Sequence, residues 1–310
     1  NILLLNIWRH FQRPENRRRF PARLVVAFAS WILIPIGISL GIYLTYDEEG
    51  VPANIVVVQP NVDPYAKYEI SLRDNFDRLI RLSRDSMQQN TEFIIWPETA
   101  IPEFVDESRF GGSHIHEMAQ KVLEGHANTT LLTGAETFLI YPDAKTPSAK
   151  YSKENGSYWD SFNTAVTIES SPRVQFYHKS KLVPGVEKMP FSGAMSFLKP
   201  LFSKFGGTTG GYGYQTAPSV LYSQNGAGVA PVICYEAIWG NWVSGYVQQG
   251  AQFIAVITND GWWGNTSGKN QHLEYARLRA IETRRWVARS ANTGISAFIK
   301  GKTSVAPTQQ

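Results

Sequence analysis

The chain has 310 residues, of which 43% are hydrophobic and 18% are charged. This composition is too apolar for a disordered chain and too charged for a protein made only of membrane helices. Six arginines and one acidic residue lie within residues 1–23, so the net charge of +4 originates there and the rest of the chain is nearly neutral. A nucleic-acid-binding surface on the main domain is therefore not expected. The single cysteine excludes a disulfide framework and a cysteine-ligated metal cluster.

The N-terminal region has the pattern of a membrane protein. Residues 24–46 contain no charged side chain, and as a helix they are long enough to cross about 30 Å of hydrocarbon. We predict the end of a membrane helix plus a basic cytoplasmic loop at 1–23, a transmembrane helix at 24–46, a linker at 47–53 and the main domain at 54–310. The alternative for 24–46 is a buried core helix.

The charges on either side of the apolar segment predict its orientation. The arginines precede it, whereas Asp47, Glu48 and Glu49 follow it. Because positively charged flanks remain in the cytoplasm, we expect the main domain to lie outside the cytoplasm. A lone cysteine in that oxidising setting has no partner in the chain, so it becomes a candidate reactive thiol.

Beyond the linker, short apolar runs alternate with helical patterns. Continuous apolar runs predict strands, and apolar positions spaced three or four residues apart predict helices. The predicted strands are 55–59, 92–96, 130–133, 228–233, 253–258 and 295–299, and the predicted helices are 70–87, 113–123, 237–249 and 271–289. Alternating residues over 157–179, with a Ser-Pro turn, predict a β-hairpin. This order indicates a layered α/β domain.

Three polar residues follow predicted strands. Glu98 comes after 92–96, Lys179 after the hairpin, and Cys234 after 228–233. In open α/β sheets, catalytic groups gather at the carboxyl ends of strands. Each residue alone also has a structural explanation, because Glu98 can cap a turn, Lys179 can be a solvated charge and Cys234 can be a small buried hydrophobic residue.

Together, the motifs WPE, YHKSKL and ICYE resemble the nitrilase (carbon–nitrogen hydrolase) superfamily, whose Glu-Lys-Cys triad lies in these contexts and in this order. TNDGWWG, the QH pair at 271–272, RAIETRR and NTGIS extend the resemblance over residues 54–300. With the membrane segment, they are similar to the apolipoprotein N-acyltransferase branch. The resemblance implies an α-β-β-α sandwich that follows a transmembrane helix. Because the sequence starts with Asn1 and lacks the family's final membrane helix, we expect a piece of a longer protein.

The resemblance also implies residue roles. Glu98 would be the general base, Lys179 the donor to the oxyanion and Cys234 the nucleophile. Supporting or substrate-binding roles would fall to Glu187, Tyr235, Glu236 and Tyr68. The loop before Glu187 departs from the family's usual LVPFGE, and Tyr68 stands where the family has a tryptophan.

The implied reaction moves a fatty acyl chain from a phospholipid, usually phosphatidylethanolamine, through a cysteine thioester to the amine of a diacylglyceryl-cysteine apolipoprotein. No metal or nucleotide cofactor is implied. We expect a multi-pass monomer in the bacterial inner membrane, with a periplasmic catalytic domain. Residues 189–214, rich in phenylalanine and glycine, are interpreted either as a loop that dips into the bilayer or as a buried subdomain.

Two rival interpretations remain. One is a membrane-tethered amidase of the nitrilase type, which would use the same three residues and water as the acceptor. The other is a membrane-tethered binding module without activity. The complete set of glutamate, lysine and cysteine argues against the binding module, and the apolar segment argues against a soluble amidase.

Overall fold

The computed structural model describes residues 2–12, 22–47, 50–63, 70–188, 211–301 and 305–307. The chain divides into two compact units, Asn1–Pro52 and Ala53–Gln310. The described residues of the first unit form two helices, α1 (Ile2–Gln12) and α2 (Ala22–Thr45). The second unit contains all of the described strands.

Helix α2 is long and apolar enough to cross a membrane. None of its residues is buried, so its apolar side chains are exposed along the helix. A helix that is apolar on every side needs a protein core or a lipid environment around it. Pro35 lies inside α2, and membrane-embedded helices tolerate proline where neighbouring groups satisfy the freed carbonyl.

The second unit is built on two β-sheets. The strands of the first sheet are β1 (Asn54–Val57), β2 (Thr91–Ile95), β3 (Ile101–Asp106), β4 (Thr130–Tyr141), β5 (Lys150–Ser152), β6 (Ser157–Ile168) and β7 (Val174–His178). Those of the second sheet are β8 (Leu221–Tyr222), β9 (Gly228–Ile233), β10 (Phe253–Thr258), β11 (Val287–Ala291), β12 (Ala297–Ile299) and β13 (Val305–Pro307).

Both sheets mix parallel and antiparallel pairs. In the first, β1, β2 and β4 are parallel neighbours, β3 also pairs in parallel with β4, and β6 runs antiparallel to β4, β5 and β7. In the second, β9, β10 and β11 form a parallel centre with antiparallel strands on both sides. The parallel strands therefore end at a common edge, where side chains that follow them can meet.

Four helices of the described residues cover the outer faces of the sheets: α3 (Leu72–Arg84), α4 (His114–Gln120), α5 (Gly240–Gln248) and α6 (Gly268–Thr283). Apolar residues of α3 and α4 pack with the first sheet in one core cluster. Residues of α5 and α6 belong to a second cluster, which also joins the two sheets. At that junction the rings of Phe93 and Phe253 meet edge to face, with centroids 5.0 Å apart. The second unit is thus an α-β-β-α sandwich.

The structure corrects one predicted helix. Residues 271–289 were expected to be helical throughout, but α6 ends at Thr283, where Arg284 adopts a left-handed φ of 55°. A left-handed residue ends a helix because the next turn cannot continue. The following Val287–Ala291 is strand β11, fully buried and parallel to β10.

One predicted strand is shorter than the strand in the structure. Strand β4 continues to Tyr141, well beyond the predicted end at residue 133. The short strands β3, β5, β8 and β13 were not predicted. Strand β3, for example, contains Pro102 and Glu103, which interrupt the apolar pattern that identifies a strand.

We expect Phe93→Ala to lower the free energy of unfolding by about 3–5 kcal/mol, because it removes a buried ring from the junction of the two sheets. Urea denaturation of the full chain would measure this loss. Phe104→Ala is the matched control, since Phe104 is 56% exposed and its truncation should cost only about 0.5 kcal/mol. Equal losses in the two variants would contradict the inter-sheet position of Phe93.

Candidate active site

Glu98 lies in a break between two strands that share a neighbour. Strands β2 and β3 both pair with the edge of β4 that β6 leaves open, so residues 97–100 leave the sheet and rejoin it. Glu98 is buried within this excursion. The Gly134 N–H donates to the carbonyl oxygen of Pro97 (3.2 Å), and Thr99 takes a positive φ of 49°.

Gly134 allows this excursion to approach β4 closely. A Cβ atom at Gly134 would lie 2.5 Å from the backbone nitrogen of Thr99 and 2.7 Å from the Cα of Glu98. No larger residue fits there without moving the backbone, so the glycine on β4 determines where the Glu98 carboxylate can lie.

Lys179 follows β7 directly and extends its pairing with β6. Its N–H donates to the carbonyl oxygen of Asn163 (2.8 Å). Its side chain is almost fully buried, and its Nζ donates to Glu187 Oε1 (2.7 Å) and to Glu98 Oε1 (3.1 Å). Burial alone would lower the pKa of Lys179, but the charges of Glu187 and Glu98 together raise it well above its ordinary value. Lys179 is therefore a charged ammonium group.

Glu187 reaches Lys179 from the loop after β7. Its N–H donates to the carbonyl oxygen of Val183 (2.9 Å), and its Oε2 accepts from the Val183 N–H (2.8 Å). The side chain thus closes its own loop while its Oε1 holds the ammonium group. The chain departs from the usual family sequence here, yet the carboxylate is buried and directed at Lys179.

The carboxylates of Glu98 and Glu187 differ in how many of their oxygens accept hydrogen bonds. Both oxygens of Glu187 accept hydrogen bonds, whereas only Oε1 of Glu98 does so among the residues that the structure describes. Glu98 Oε2 is therefore the oxygen that could accept a proton without breaking an existing bond.

Asn163 is a site residue that the sequence did not reveal. It lies on β6, and its Nδ2 donates to both Glu98 Oε1 (2.8 Å) and Glu187 Oε1 (3.0 Å). The sequence pattern around Asn163 does not identify it as a site residue, because a single asparagine within an alternating strand resembles any polar residue of a hairpin. Its position between two carboxylates depends on the pairing of β6 with β4 and β7.

Cys234 follows β9 at the start of a short 3₁₀ turn, Cys234–Ile238. It is half-buried, and its φ of 48° is in the left-handed region that non-glycine residues rarely adopt. Burial raises the pKa of its thiol to about 12, and the charge of Glu98 adds to this increase. The charge of Lys179 and a hydrogen bond from Thr258 act in the opposite direction. The resting cysteine is therefore a protonated thiol.

Glu236 connects the cysteine turn with the loop that carries Lys179. Its Oε1 accepts from the Tyr177 hydroxyl (2.6 Å) and the Ser180 N–H (2.7 Å), and its Oε2 accepts from the Ile233 N–H (2.9 Å). Burial raises the pKa of Glu236 to about 7, more than these hydrogen bonds lower it. These hydrogen bonds connect the turn after β9, in the second sheet, with β7 and the loop that follows it, in the first sheet.

The remaining predicted site residues differ in placement. Tyr235 is half-buried beside Cys234, with its ring edge to face against Trp239 at 6.3 Å. Tyr68 and residues 189–210 lie outside the described residues. Within the described ranges, no group of three or more histidine, cysteine, aspartate and glutamate side chains could hold a metal ion.

Comparison with known sequences identifies the family. The sequence pattern of carbon-nitrogen hydrolases matches residues 54–308. The chain belongs to the carbon–nitrogen hydrolase family. Within this family it is similar to curated proteins named apolipoprotein N-acyltransferase. One, from Chlorobaculum tepidum, is 34% identical over 81% of this chain and 48% of its own length, and one from Brucella suis is 33% identical over 82% and 44%. The chain therefore spans about half the length of the curated relatives it matches.

Solved structures agree with this assignment at the level of fold. A Saccharomyces cerevisiae member of branch 10 of the nitrilase superfamily gives a TM-score of 0.56 at 12% identity, covering 82% of this chain and 84% of that protein. An amidase of the nitrilase superfamily from Nesterenkonia gives 0.50 at 17% identity, covering 84% and 88%. The α-β-β-α sandwich of this chain is the carbon–nitrogen hydrolase fold.

The raised pKa of Glu236 predicts a pH dependence of stability. The folded protein retains a proton on Glu236 up to about pH 7, whereas the unfolded chain releases it near its ordinary pKa of 4.5. Since the folded state binds more protons in this window, the stability contributed by this group falls as the pH rises from 4.5 to about 7. Relative to Glu236→Gln, the wild type should lose about 1–3 kcal/mol of unfolding free energy between pH 5 and pH 8.

Urea denaturation of both proteins at several pH values would measure this difference. Groups other than Glu236 titrate in both proteins, so their contributions cancel in the comparison. A stability difference that stays constant with pH would show that Glu236 is ionised in the folded protein throughout.

Proposed function

We propose that this chain is the catalytic part of an apolipoprotein N-acyltransferase. It would move a fatty acyl chain from a phospholipid, with phosphatidylethanolamine as the expected donor, to the N-terminal amine of a diacylglyceryl-cysteine apolipoprotein. The observation that carries this proposal is the buried ammonium group of Lys179, held between Glu98 and Glu187 at the end of the sandwich where Cys234 also lies. Relatives of that name, similar over most of this chain, support the choice of reaction.

The first step is proton transfer from Cys234 to Glu98. A thiol with a pKa near 12 is a poor nucleophile at neutral pH, so it needs a base. Two carboxylates and one ammonium group already give this cluster a net negative charge. Ionising the cysteine into water would add another buried charge, whereas transfer to Glu98 Oε2 relocates the charge without increasing it.

Acylation follows from the thiolate. The Cys234 sulfur attacks the ester carbonyl carbon of the phospholipid, and the negative charge that develops on the carbonyl oxygen is stabilised by the Lys179 ammonium group. When the tetrahedral intermediate collapses, the carbon–oxygen bond of the ester breaks. The departing lysophospholipid alkoxide takes the proton from Glu98, which leaves an acyl thioester on Cys234 and an ionised Glu98.

In the second half of the reaction, Cys234 is the leaving group and the acceptor amine is the nucleophile. The amine of the diacylglyceryl-cysteine attacks the thioester carbonyl, and Glu98 accepts a proton from the nitrogen. The carbon–sulfur bond breaks, the amide product leaves, and the proton passes from Glu98 to the Cys234 thiolate. The sequence of steps consumes one phospholipid ester and one amine, and it restores the enzyme.

The other predicted residues have supporting roles in this proposal. Glu187 and Asn163 hold Lys179 and Glu98 in place, and Glu236 holds the turn of Cys234 against the loop of Lys179. The ring of Tyr235, beside the nucleophile, would contact the substrate. Tyr68 is proposed as a further substrate contact.

The apolar helix supports a membrane location. Helix α2 is long enough to span the bilayer, and the arginines that precede it favour a cytoplasmic start and an extracytoplasmic catalytic domain. This arrangement would bring an enzyme monomer of the bacterial inner membrane next to its phospholipid donor, with the catalytic domain in the periplasm. An amidase that uses the same residues with water as the acceptor is the alternative that the experiment below distinguishes.

We expect the full-length protein that contains this chain to form a thioester at Cys234 when it is incubated with phosphatidylethanolamine and no acceptor. Intact-mass analysis should show one added acyl chain, which neutral hydroxylamine releases because thioesters react with it. A diacylated lipopeptide should then take the acyl chain as an amide. Loss of the acyl chain to water alone, with the lipopeptide unmodified, would favour the amidase.

Two variants serve as controls for this experiment. Cys234→Ala should form no adduct, and Glu98→Gln should slow its formation by about 10²–10⁴-fold, because it removes the base and keeps the side-chain shape. Glu103→Gln is the matched substitution at an exposed glutamate and should leave the rate unchanged. Acyl transfer by the wild type without an adduct at Cys234 would refute the mechanism.

The charge pattern around α2 predicts the topology. An alkaline phosphatase reporter fused after Asp47 should be active, because this enzyme folds only outside the cytoplasm, whereas a fusion within the arginine-rich segment before residue 22 should be inactive. Reporter activity in cells expressing each fusion measures the orientation. The opposite pattern would place the catalytic domain in the cytoplasm and contradict the proposed lipoprotein substrate.

A further inference from the structure

We propose, on the basis of the function proposed above, that His272 is a positioning residue for the reaction. It would act through the backbone of Cys234 and make no contact with the substrate. The cluster of His272, Asp260 and Arg289 lies outside the group formed by Glu98, Lys179 and Glu187. All three of its members are buried.

The nucleophile needs such support because its backbone is strained. A non-glycine residue in the left-handed region costs on the order of 1–3 kcal/mol, so contacts with the surrounding structure must maintain it. One of these contacts is to the carbonyl oxygen of Cys234, which lies 3.0 Å from His272 Nε2. A carbonyl oxygen can only accept, so Nε2 carries the hydrogen and donates it.

The imidazole is itself held on its other side. Its Nδ1 lies 2.9 Å from Asp260 Oδ1, and Asp260 Oδ2 accepts from Arg289 Nη2 at 2.8 Å. Arg289 also donates through Nη1 to the carbonyl oxygen of Ile295. The three side chains come from α6, from the turn after β10 and from β11, so three separate elements converge on the ring.

The same carboxylate also accepts a hydrogen bond from a residue at the end of β10. The Thr258 hydroxyl donates to Asp260 Oδ1 at 3.3 Å. Asp260 thus contacts Thr258, His272 and Arg289, and His272 carries the contact onward to the Cys234 carbonyl oxygen. The TNDG and QH motifs, which the triad does not use, meet in this network.

The hydrogen bond to the carbonyl oxygen constrains more than one atom. The peptide group between Cys234 and Tyr235 is planar, so holding its oxygen restricts the rotation of the whole group and thereby the position of the Cys234 Cα, from which the side chain projects. Displacing a reacting atom by about 1 Å can cost roughly 100-fold in rate. Loss of the bond should therefore slow the attack of the sulfur without changing how tightly the phospholipid binds.

Two substitutions of His272 separate this role from a purely structural one. In His272→Gln, the amide nitrogen can occupy the position of Nε2 and still donate to Cys234. In His272→Asn, the shorter side chain places its amide near the position of Nδ1, so it can still contact Asp260 but cannot reach Cys234. The measurement is the single-turnover rate of thioester formation with phosphatidylethanolamine vesicles, as a function of lipid concentration, in the full-length protein.

We expect His272→Gln to remain within about tenfold of the wild-type rate and His272→Asn to fall about 100-fold, with the same half-saturating lipid concentration in both. Equal rates, or a faster His272→Asn, would overturn the proposal, because the histidine would then serve only to pair with Asp260. If His272→Asn does not fold, a 100-fold loss in a folded His272→Gln would overturn it equally. A wild type that forms no thioester would instead refute the proposed function.

Discussion

One buried ammonium group holds the site together. The Nζ of Lys179 is removed from water and donates to two carboxylates that come from different parts of the chain. Removing an ion from water costs several kcal/mol, and only close partners of opposite charge with good geometry offset this cost. The excursion after β2, the end of β7 and the loop of Glu187 must therefore meet at one point. Asn163 donates a hydrogen bond to each of the two carboxylate oxygens that accept from the lysine, so it holds them next to each other.

Cys234, the proposed nucleophile, follows a strand of the other sheet and is linked to this cluster by a different group. Glu236, next to the cysteine turn, accepts hydrogen bonds from the loop that follows Lys179. Because the carboxyl ends of β7 and β9 lie at the same end of the sandwich, one buried side chain can join the two sheets where the chemistry would occur. Burying the Glu236 carboxyl group to form this link costs free energy, and its raised pKa reflects that cost.

The protonation state and the backbone conformation of Cys234 are both maintained by the surrounding protein. Cys234 is kept protonated by burial and is kept in an unfavourable backbone conformation by its neighbours. Neither condition would persist in water, where the thiol would ionise more easily and the backbone would relax. In the proposed reaction, Cys234 would stay protonated until a substrate carbonyl offers a place for the negative charge, and its proton would pass to Glu98 Oε2, which accepts no hydrogen bond from the described residues.

The amino-acid sequence by itself determined the apolar helix, the α/β class, the hairpin and the candidate residues that follow the strands, because these depend on local periodicity and short motifs. Only the tertiary structure decided that Asn163 bridges two glutamates, that the described residues donate to both oxygens of Glu187 but to only one of Glu98, and that α6 ends before a buried strand. The network of His272 and Asp260 beneath Cys234 is a further case. Each of these depends on contacts between residues far apart in the chain, and such contacts exist only once the sheets have paired.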